Sequence, residues 1–458
     1  MRKQKSFSKK ILQYAIYLYR RFILPLKDLD LPNTKWKLSV LSALPFWVAS
    51  FLVGLISVLY ASLFGWAEEI YFWLLETVSY WMFPISAAFF IGGWYIVHRF
   101  SPYASGSGIP QVVASLELIQ HKRSSRIIQL LSFPIILVKI ASSMLMALGG
   151  AVIGREGPTI QIAGAVFKKT YDFLPKWWPR ISPKNMIMTG AAAGLAAAFN
   201  TPLGGLVFAI EELTKTHISN FKNSIFIGVV IAGITAQSIV GSYLYLGYPV
   251  AVNISYAMVF AVILSSLFTG GFAGLYTKLT IKLMEWRQTL NIKKRVLFLV
   301  FGSAFITAMA LYFDHKIACG GHELIITSLF SQNKYSEWYV PFGKFIGSSI
   351  SFVSGAAGGV FAPALSVGAS ISGFFSGVLE LSGDNTNLLV MTGMVAFLTG
   401  ITRSPFTSAI LVLEMTDRHN LIFFFMLAAV MGNIAARSLH RKPLYEYIKE
   451  SILRNIKK

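Results

Sequence analysis

The sequence predicts an all-α membrane protein that crosses the bilayer many times and consists of two related repeats. Three observations lead to this fold class: a very apolar composition, several long apolar runs, and an internal match between the two halves. Of the 458 residues, 55% are hydrophobic and 13% are charged, whereas a typical soluble domain has about 25% charged residues. A chain of this composition cannot cover its surface with polar groups, so lipid is its expected surrounding.

The apolar runs recur along the whole chain and are long enough to cross a membrane as helices. They include residues 42–66, 127–153, 225–246 and 297–313. A hydrocarbon core of about 30 Å requires roughly 20 residues of α-helix. These runs therefore predict a multi-pass protein.

The net charge of +21 at pH 7 comes from basic residues at the chain ends and in short connectors between apolar runs. Because cytoplasmic segments of membrane proteins are enriched in lysine and arginine, both termini are expected to be cytoplasmic and close to anionic lipid headgroups. A nucleic-acid partner is not expected. The predicted division is a basic cytoplasmic segment (1–37), membrane repeat 1 (38–218), membrane repeat 2 (219–436), and a C-terminal helix with a basic tail (437–458).

An internal match relates the two halves. Residues 189–211 contain a Thr-Gly pair, a proline and a terminal glutamate, and residues 392–414 contain the same landmarks 203 positions later. Upstream, a glycine and a proline at 154–158 recur at 359–363, 205 positions later. This register favours an internal duplication, and broken helices at matching positions are typical of transporters whose site lies between two repeats. The residues alone leave open whether the repeats are parallel or inverted.

Three short glycine-rich pieces each end in a proline and open an apolar run: residues 106–110 (Gly-Ser-Gly-Ile-Pro), 154–158 (Gly-Arg-Glu-Gly-Pro) and 359–363 (Gly-Val-Phe-Ala-Pro). Proline is favoured in the first turn of a helix and glycine lets the preceding backbone turn, so each piece predicts a helix N-terminus. Such a terminus presents unpaired N–H groups and a partial positive charge, which an anion stabilises. Alternatively, these residues only kink the helices. Three pieces, two at equivalent repeat positions, favour an anion site without a lysine.

These motifs occur in the order and approximate spacing of the CLC chloride channels and transporters, and residues 443–445 (Pro-Leu-Tyr) match the last helix of that family. The resemblance covers about residues 40–450. It implies an all-α polytopic membrane protein with two inverted repeats of broken, tilted helices, which forms a homodimer in the plasma membrane. It also implies proton-coupled chloride antiport without a cofactor. A passive voltage- or pH-gated chloride channel with the same anion pathway is the alternative.

Carried onto this sequence, the resemblance implies an anion path and two acids that carry protons. Glu156 is expected to be the gating glutamate and external proton acceptor, and Glu212 is expected to be the internal proton-transfer residue. The expected chloride-binding positions, which offer hydroxyls or backbone amides, are Ser107, Tyr445, Val360, Phe361, Gly106, Gly108, Arg155 and Gly157.

Each of the two acids has an alternative role. Glu156 would form a structural ion pair with Arg155, although adjacent residues of a helix do not face each other. Glu212 would be a solvated helix end followed by Lys215. The neighbouring Glu211 is expected to be structural, because its repeat partner lies in the half that has no gating acid.

The remaining candidates are less specific. Lys139 lies inside an apolar run, where it either adds positive potential to the path or forms a buried structural pair. His315 and His322 lie near Cys319, but no further ligand follows at metal-site spacing, so a loop and no metal are expected. The enzyme motifs H-E-x-x-H and G-x-S-x-G do not occur, so the chain is not expected to be an enzyme.

Two positions narrow what the resemblance implies. Ser107 stands where a proline accompanies nitrate selectivity in relatives, so chloride is the implied substrate. The chain ends soon after Tyr445, so the nucleotide-binding C-terminal domains that many members of the family carry are not expected.

Overall fold

The computed structural model describes residues 34–120, 124–213, 222–241, 244–252, 254–255, 257–381 and 383–457. Within these ranges the regular secondary structure is helical, and the paired extended backbone is limited to two isolated β-bridges. The all-α prediction is confirmed. Residues 1–33, which hold most of the predicted basic segment, and the predicted repeat boundary at 218/219 lie outside the described residues.

The first half of the described chain contains α1 (Thr34–Val78), α2 (Met82–Phe100), α3 (Ile109–Gln120), α4 (Phe133–Leu148), α5 (Glu156–Asp172), α6 (Pro183–Phe199), α7 (Pro202–Phe208) and α8 (Lys222–Val240). A π-helical turn, Ala209–Leu213, continues α7. The second half contains α9 (Met258–Thr289), α10 (Ile292–Tyr312), α11 (His322–Phe330), α12 (Tyr339–Val353), α13 (Phe361–Val378), α14 (Gly383–Thr402), α15 (Pro405–Thr416), α16 (Ile422–Leu439) and α17 (Leu444–Lys457).

The helix boundaries repeat as the sequence predicts. The helices α5 and α13 begin at Glu156 and Phe361, which are 205 positions apart. The next helices, α6 and α14, end 203 positions apart, and α7 and α15 begin at Pro202 and Pro405, again 203 positions apart. Proline sits in the first turn of both α7 and α15, where its missing N–H costs nothing. The two halves are therefore structurally related repeats.

Several helices present an apolar surface suited to lipid. Within the described ranges, eight segments are long and apolar enough to cross a membrane: Lys35–Phe100, Ser125–Leu148, Asn223–Val240, Met258–Thr289, Ile292–Tyr312, Phe361–Val378, Gly383–Thr402 and His419–Leu439. In an apolar 18-residue stretch of α14, 94% of the residues are buried, whereas in the corresponding stretch of His419–Leu439 only 33% are buried. Exposed side chains such as Phe423, at 84%, mark the lipid-facing surface. The protein is thus an integral, multi-pass membrane protein with α14 in its interior.

The described residues separate into two compact units. The small unit comprises residues 34–44 and 175–180, in which the Trp178 indole N–H donates to the carbonyl oxygen of Leu41 at 2.9 Å. The large unit comprises the described part of residues 45–174 and 181–458. All groups of the candidate site belong to the large unit.

Candidate anion pathway

The two glycines of the first motif adopt a left-handed backbone that favours glycine. Gly106 has φ +65° and Gly108 has φ +111°, and α3 begins directly afterwards at Ile109. A Cβ atom at Gly108 would lie 2.7 Å from the carbonyl oxygen of Gly157, so the close approach of α5 also requires glycine here. The first motif therefore leads into the N-terminus of α3 and packs against the second motif.

The second and third motifs pair through equivalent residues. The N–H of Gly154 donates to the carbonyl oxygen of Gly359 at 2.8 Å, and the N–H of Gly359 donates to that of Gly154 at 2.7 Å. This reciprocal pair, 205 positions apart, indicates a local two-fold relation between the repeats. The first motif joins it, because Gly106 N–H donates to Ala356 oxygen at 2.7 Å and Gly358 N–H donates to Gly106 oxygen at 3.1 Å. The N-termini of α3, α5 and α13 therefore meet.

Two buried hydroxyls face this meeting point. Ser107 and Tyr445 are each 2% exposed, and their hydroxyls interact without a regular hydrogen bond to any described group. The ring of Tyr445 stacks on Phe361, with centroids 6.3 Å apart and planes 12° apart. Phe361 begins α13 and Val360 precedes it, so their N–H groups lack an acceptor within the helix. Because buried polar groups normally have partners, these unpaired donors suit a small anion.

Glu156 lies at the first position of α5 and is 1% exposed. Its carboxylate turns back toward the motifs: Oε2 would collide with a Cβ atom on Gly154, and the N–H groups of Glu156 and Ala362 face it. The Tyr245 hydroxyl donates to Oε1 at 3.5 Å, whereas Oε2 has no regular hydrogen bond among the described groups. The carboxylate therefore lies between the positive ends of α5 and α13, where an anion is stabilised.

Arg155, the residue before Glu156, has a different contact. Its Nη1 donates to the carbonyl oxygen of Ala61 at 2.7 Å, on the long helix α1. The guanidinium also attracts the Glu156 carboxylate electrostatically, but that carboxylate faces the backbone N–H groups. The geometry gives Arg155 a helix-to-helix tie as well as a positive charge beside the predicted path.

Glu156 and Glu212 open onto different cavities. The Glu156 cavity has a volume of about 730 Å³ and is also lined by Arg155 and Tyr245. The Glu212 cavity has a volume of about 150 Å³ and is also lined by Tyr445. The paired hydroxyls thus adjoin the Glu212 cavity through Tyr445. The helix N-termini, the two hydroxyls and the two carboxylates therefore lie in one region, as the predicted anion path requires, with each carboxylate on its own cavity.

Glu212 lies in the π-helical turn that follows α7. The hydroxyl of Ser404, the residue before α15, donates to its Oε2 at 2.7 Å. Glu212 and Ser404 also border a small enclosed space together with Phe361 and Tyr445. The carboxylate is therefore close to the predicted chloride site. Lys215, which the helix-end alternative involves, lies outside the described residues.

The neighbouring Glu211 turns away and caps a helix of the other repeat. Its Oε1 accepts from the N–H of Phe406 at 3.2 Å, and its Oε2 accepts from the N–H of Thr407 at 2.7 Å. Glu414 of the second repeat caps a helix of the first repeat in the same way. It accepts from the N–H groups of Leu203 and Gly204 at 3.0 and 2.6 Å. All three equivalent pairs are 203 positions apart. Glu211 and Glu414 thus satisfy the free N–H groups of α15 and α7.

Lys139 is fully buried in α4. Its ammonium donates to the carbonyl oxygens of Ala104 at 2.9 Å and Gly106 at 2.7 Å. Both bonds go to the backbone of the first motif, which carries Ser107. Lys139 therefore fixes this loop through carbonyl oxygens; no acid that would form the predicted buried pair contacts it among the described residues, and its effect on the path stays a prediction.

Sequence reasoning missed a second buried lysine. Lys344 in α12 is also fully buried, and its ammonium donates to the carbonyl oxygens of Ala318 at 2.8 Å and Cys319 at 3.0 Å. Lys344 follows Lys139 by 205 positions, the same offset as the glycine motifs. That offset was a usable sequence signal.

The expectation of a loop around the two histidines is partly wrong. His315 lies in a short 3-10 turn, His315–Ile317, but His322 is the first residue of α11. Gly321 before it has φ +89° and Cys319 has φ +58°. This helix start lacks the proline that ends each of the three glycine-rich motifs. Its sequence signal is the Gly-Gly pair at 320–321.

The fold and the path define a multi-pass membrane protein with two related repeats whose motif loops meet in its interior. Residues 87–437 match the sequence profile of the family described as "Voltage gated chloride channel". This match covers most of the chain, so the protein belongs to the voltage-gated chloride channel family, the CLC family that its motifs resemble.

Named relatives agree with this assignment. The H(+)/Cl(-) exchange transporter ClcA of Klebsiella pneumoniae subsp. pneumoniae is 28% identical over 422 residues, which cover 89% of this chain and 88% of that protein. The ClcA of Citrobacter koseri is 29% identical over 422 residues, which cover 88% and 86%. The crystal structure of a slow cyanobacterial Cl-/H+ antiporter matches with a TM-score of 0.77 and 22% identity, over 91% of this chain and 99% of that chain. The structural match shows the shared fold.

Proposed function

We propose that this protein exchanges chloride for protons across a membrane. The observation that carries the proposal is that two carboxylates near the meeting helix N-termini line separate cavities: Glu156 the larger one and Glu212 the smaller one. A transporter that couples two ions needs a site where they compete and a second group that supplies the proton. The exchange activity named for the ClcA relatives supports the same reaction.

Chloride binds between the hydroxyls of Ser107 and Tyr445, next to the N–H groups of Val360 and Phe361. These donors are neutral, so they hold the anion without the strong attraction of a full cation. The backbone around Gly106, Gly108, Arg155 and Gly157 completes the path. The desolvation of a chloride ion is offset by helix N-termini rather than by lysine side chains.

Glu156 is the gate in this scheme. As a carboxylate it takes the position between α5 and α13 and excludes a second anion. When it binds a proton, its charge disappears and chloride replaces it between the helix ends. Glu212 receives a proton on the other side and passes it toward Glu156, so each proton that crosses is bound by both acids in turn.

Proton flux in liposomes tests this proposal. The full chain is reconstituted, a chloride gradient is imposed, and the external pH is recorded for the wild type, Glu156→Ala and Glu212→Ala. We expect uphill proton movement in the wild type and none in either variant, with chloride flux retained in Glu212→Ala. Chloride flux without proton movement in the wild type would establish the alternative, a passive channel that uses the same path.

The remaining expectations belong to the same proposal. The larger cavity faces the outside and the smaller one the cytoplasm, both termini are cytoplasmic, and the protein lies in the plasma membrane as a homodimer with one path per subunit. No cofactor takes part. A cross-linking series on the reconstituted protein distinguishes the dimer from a monomer.

A further inference from the structure

The segment 318–322 of repeat 2 has the backbone of the first motif of repeat 1. Cys319 and Gly321 have φ +58° and +89°, and Gly106 and Gly108, 213 positions earlier, have +65° and +111°. A helix begins directly after each pair: α3 after Gly108 and the nine-residue α11 after Gly321. Repeat 2 therefore contains a counterpart of the loop that carries Ser107.

The same buried cation supports both loops. Lys139 donates to the carbonyl oxygen of Gly106 at 2.7 Å, and Lys344 donates to that of the equivalent Cys319 at 3.0 Å. Both lysines are fully buried. In repeat 2 the ammonium of Lys344 lies close enough to the Glu68 carboxylate to attract it. The repeat 2 loop thus combines a helix N-terminus with a buried positive charge.

An anionic group already occupies this loop. Gly320 is the counterpart of Ser107, 213 positions later, and its N–H donates to Oε1 of Glu68 at 2.8 Å. The ammonium of Lys344 and the guanidinium of Arg155 both attract this carboxylate. Glu68 comes from α1, a different part of the chain, and is not a member of the loop.

A further buried donor lies beside the loop. Tyr71, one turn after Glu68 on α1, is 0% exposed, and its hydroxyl has no hydrogen-bond partner among the described residues. A Cβ atom on Gly150 would lie 2.7 Å from this hydroxyl, and the carbonyl oxygen of Gly150 accepts from the N–H of Cys319 at 3.2 Å. A buried hydroxyl without a regular hydrogen bond is unusual. The hydroxyls of Ser107 and Tyr445 are also buried without one. A buried tyrosine hydroxyl thus lies near each of the two loops.

The loop is continuous with the proposed transport path. Glu68, Gly320 and Glu156 all line the 730 Å³ cavity. A Cβ atom on Gly320 would lie 3.9 Å from the side chain of Ala362, whose N–H faces the Glu156 carboxylate. Of the two acids, Glu68 is partly exposed, whereas Glu156 is 1% exposed.

We propose that the loop of residues 318–322 is an additional site for a small monovalent anion, which the Glu68 carboxylate fills as a tethered competitor. The site lines the same cavity as Glu156 and takes chloride or bromide once the carboxylate is removed. It uses the anion of the proposed function, but it depends on binding alone and not on proton coupling.

Bromide is the probe, because its anomalous X-ray scattering locates it in crystals. The full-length protein is crystallised in bromide as the wild type, Glu68→Ala, Glu68→Ser and Glu69→Ala. Glu69→Ala is the matched control, since Glu69 lines the same cavity and is more exposed than Glu68. Glu68→Ser provides a second vacated site if the alanine variant does not yield folded protein.

We expect one additional bromide per subunit in contact with the Gly320 N–H in Glu68→Ala or Glu68→Ser, and none there in the wild type or Glu69→Ala. No peak at Gly320 in either Glu68 variant overturns the proposal. A peak there in the wild type overturns the competitor role of Glu68. Bromide beside Ser107 and Tyr445 is the internal reference: its absence contradicts the proposed transport path, whereas its presence without a Gly320 peak contradicts this inference alone.

Discussion

The two repeats have the same scaffold but different chemistry. Three pairs of equivalent residues have the same role in both repeats. They are the paired glycines Gly154 and Gly359, the capping glutamates Glu211 and Glu414, and the buried lysines Lys139 and Lys344. Each of these pairs satisfies backbone groups that the broken helices leave unpaired. The duplicated residues therefore maintain the structure of the path.

The residues proposed to act on ions are not duplicated. Their equivalents in the other repeat lack the reactive group: Glu156 corresponds to Phe361, Glu212 to Met415, and Ser107 to Gly320. The helix N-termini thus occur in both repeats, whereas the proposed gate, the proposed proton acceptor and the hydroxyl each occur in one. In the proposed mechanism, a few unmatched side chains give a two-fold scaffold its direction.

The largest expected effect comes from the unmatched position at the start of α5. In Glu156→Gln the side chain keeps its size but cannot carry a charge or a proton. We expect proton movement to fall to the level of protein-free liposomes and chloride flux to become independent of pH. Wild-type chloride flux should rise as the pH falls, because protonation removes the competing carboxylate. Chloride efflux measured over the acid to neutral range checks this.

The equivalent position in repeat 2 provides the control. In Phe361→Leu the side chain stays apolar, so the pH dependence of chloride flux should persist even if its rate changes through loss of the Tyr445 stacking contact. A pH-independent flux in Phe361→Leu, or a pH-dependent flux in Glu156→Gln, would show that the asymmetry between these two positions does not create the gate.

The sequence predicted the fold and part of the site because the decisive signals are local. The helix starts at 109, 156 and 361 follow from glycine and proline in a short motif. The roles of Glu156, Glu212, Ser107 and Tyr445 remain predictions from family resemblance. Tyr245, Ser404 and Glu68 could not be predicted, since their contacts join distant segments and no local pattern marks them. The start of α11 was missed because the Gly-Gly pair at 320–321 lacks a following proline.

The buried lysines should give the next largest effect. In Lys139→Met and Lys344→Met, two buried carbonyl oxygens each lose their donor, which costs about 1–3 kcal/mol of unfolding free energy per oxygen. Both variants should therefore be destabilised by similar amounts. Only Lys139→Met should also weaken chloride binding, because its loop carries Ser107. Thermal unfolding in detergent and calorimetric chloride titration measure the two effects.

Equal chloride affinities in the two lysine variants would contradict this distinction between the repeats. A stability loss in only one of them would mean that the two loops are not supported in the same way. Lys334→Met is a suitable control, since Lys334 also donates to a backbone carbonyl oxygen, that of Leu329 at 2.8 Å, but lies outside both loops.

The capping glutamates should give a smaller effect. Glu211→Gln and Glu414→Gln each retain one acceptor oxygen and lose the other, so each should lower the unfolding free energy by about 0.5–1.5 kcal/mol per lost hydrogen bond. Proton exchange should persist in both. Glu212→Gln provides the contrast: it keeps an acceptor for Ser404 and should lose proton exchange at nearly unchanged stability. Loss of proton exchange in Glu211→Gln would mean that Glu211 belongs to the proton path.

The smallest effect is expected at Lys449 of α17, which the repeats do not duplicate. Its ammonium contacts Glu117 of α3 at 3.2 Å and Glu446 at 2.7 Å, and so ties the helix of Tyr445 to the helix that follows Ser107. Burial acts to lower the pKa of Lys449, but hydrogen bonds to Glu446 and Glu117 raise it above the usual 10.5. Lys449→Met should lower the unfolding free energy by about 0.2–1 kcal/mol, because partly exposed ion pairs are screened by water.

The sign of this pKa change fixes how the Lys449 contribution depends on pH. Because the pKa of Lys449 is higher in the folded protein than in the unfolded chain, its contribution to stability is complete at pH values below the unfolded pKa. The contribution is lost as the pH rises through the folded pKa. The deficit of Lys449→Met in thermal unfolding should therefore be the same at about pH 7 and about pH 9 and should shrink in high salt. A deficit that disappears between these pH values would show that the carboxylate partners do not hold this lysine. Apolar packing alone would then hold α17 against α3. The distance between Tyr445 and Ser107 would not depend on the charge of Lys449.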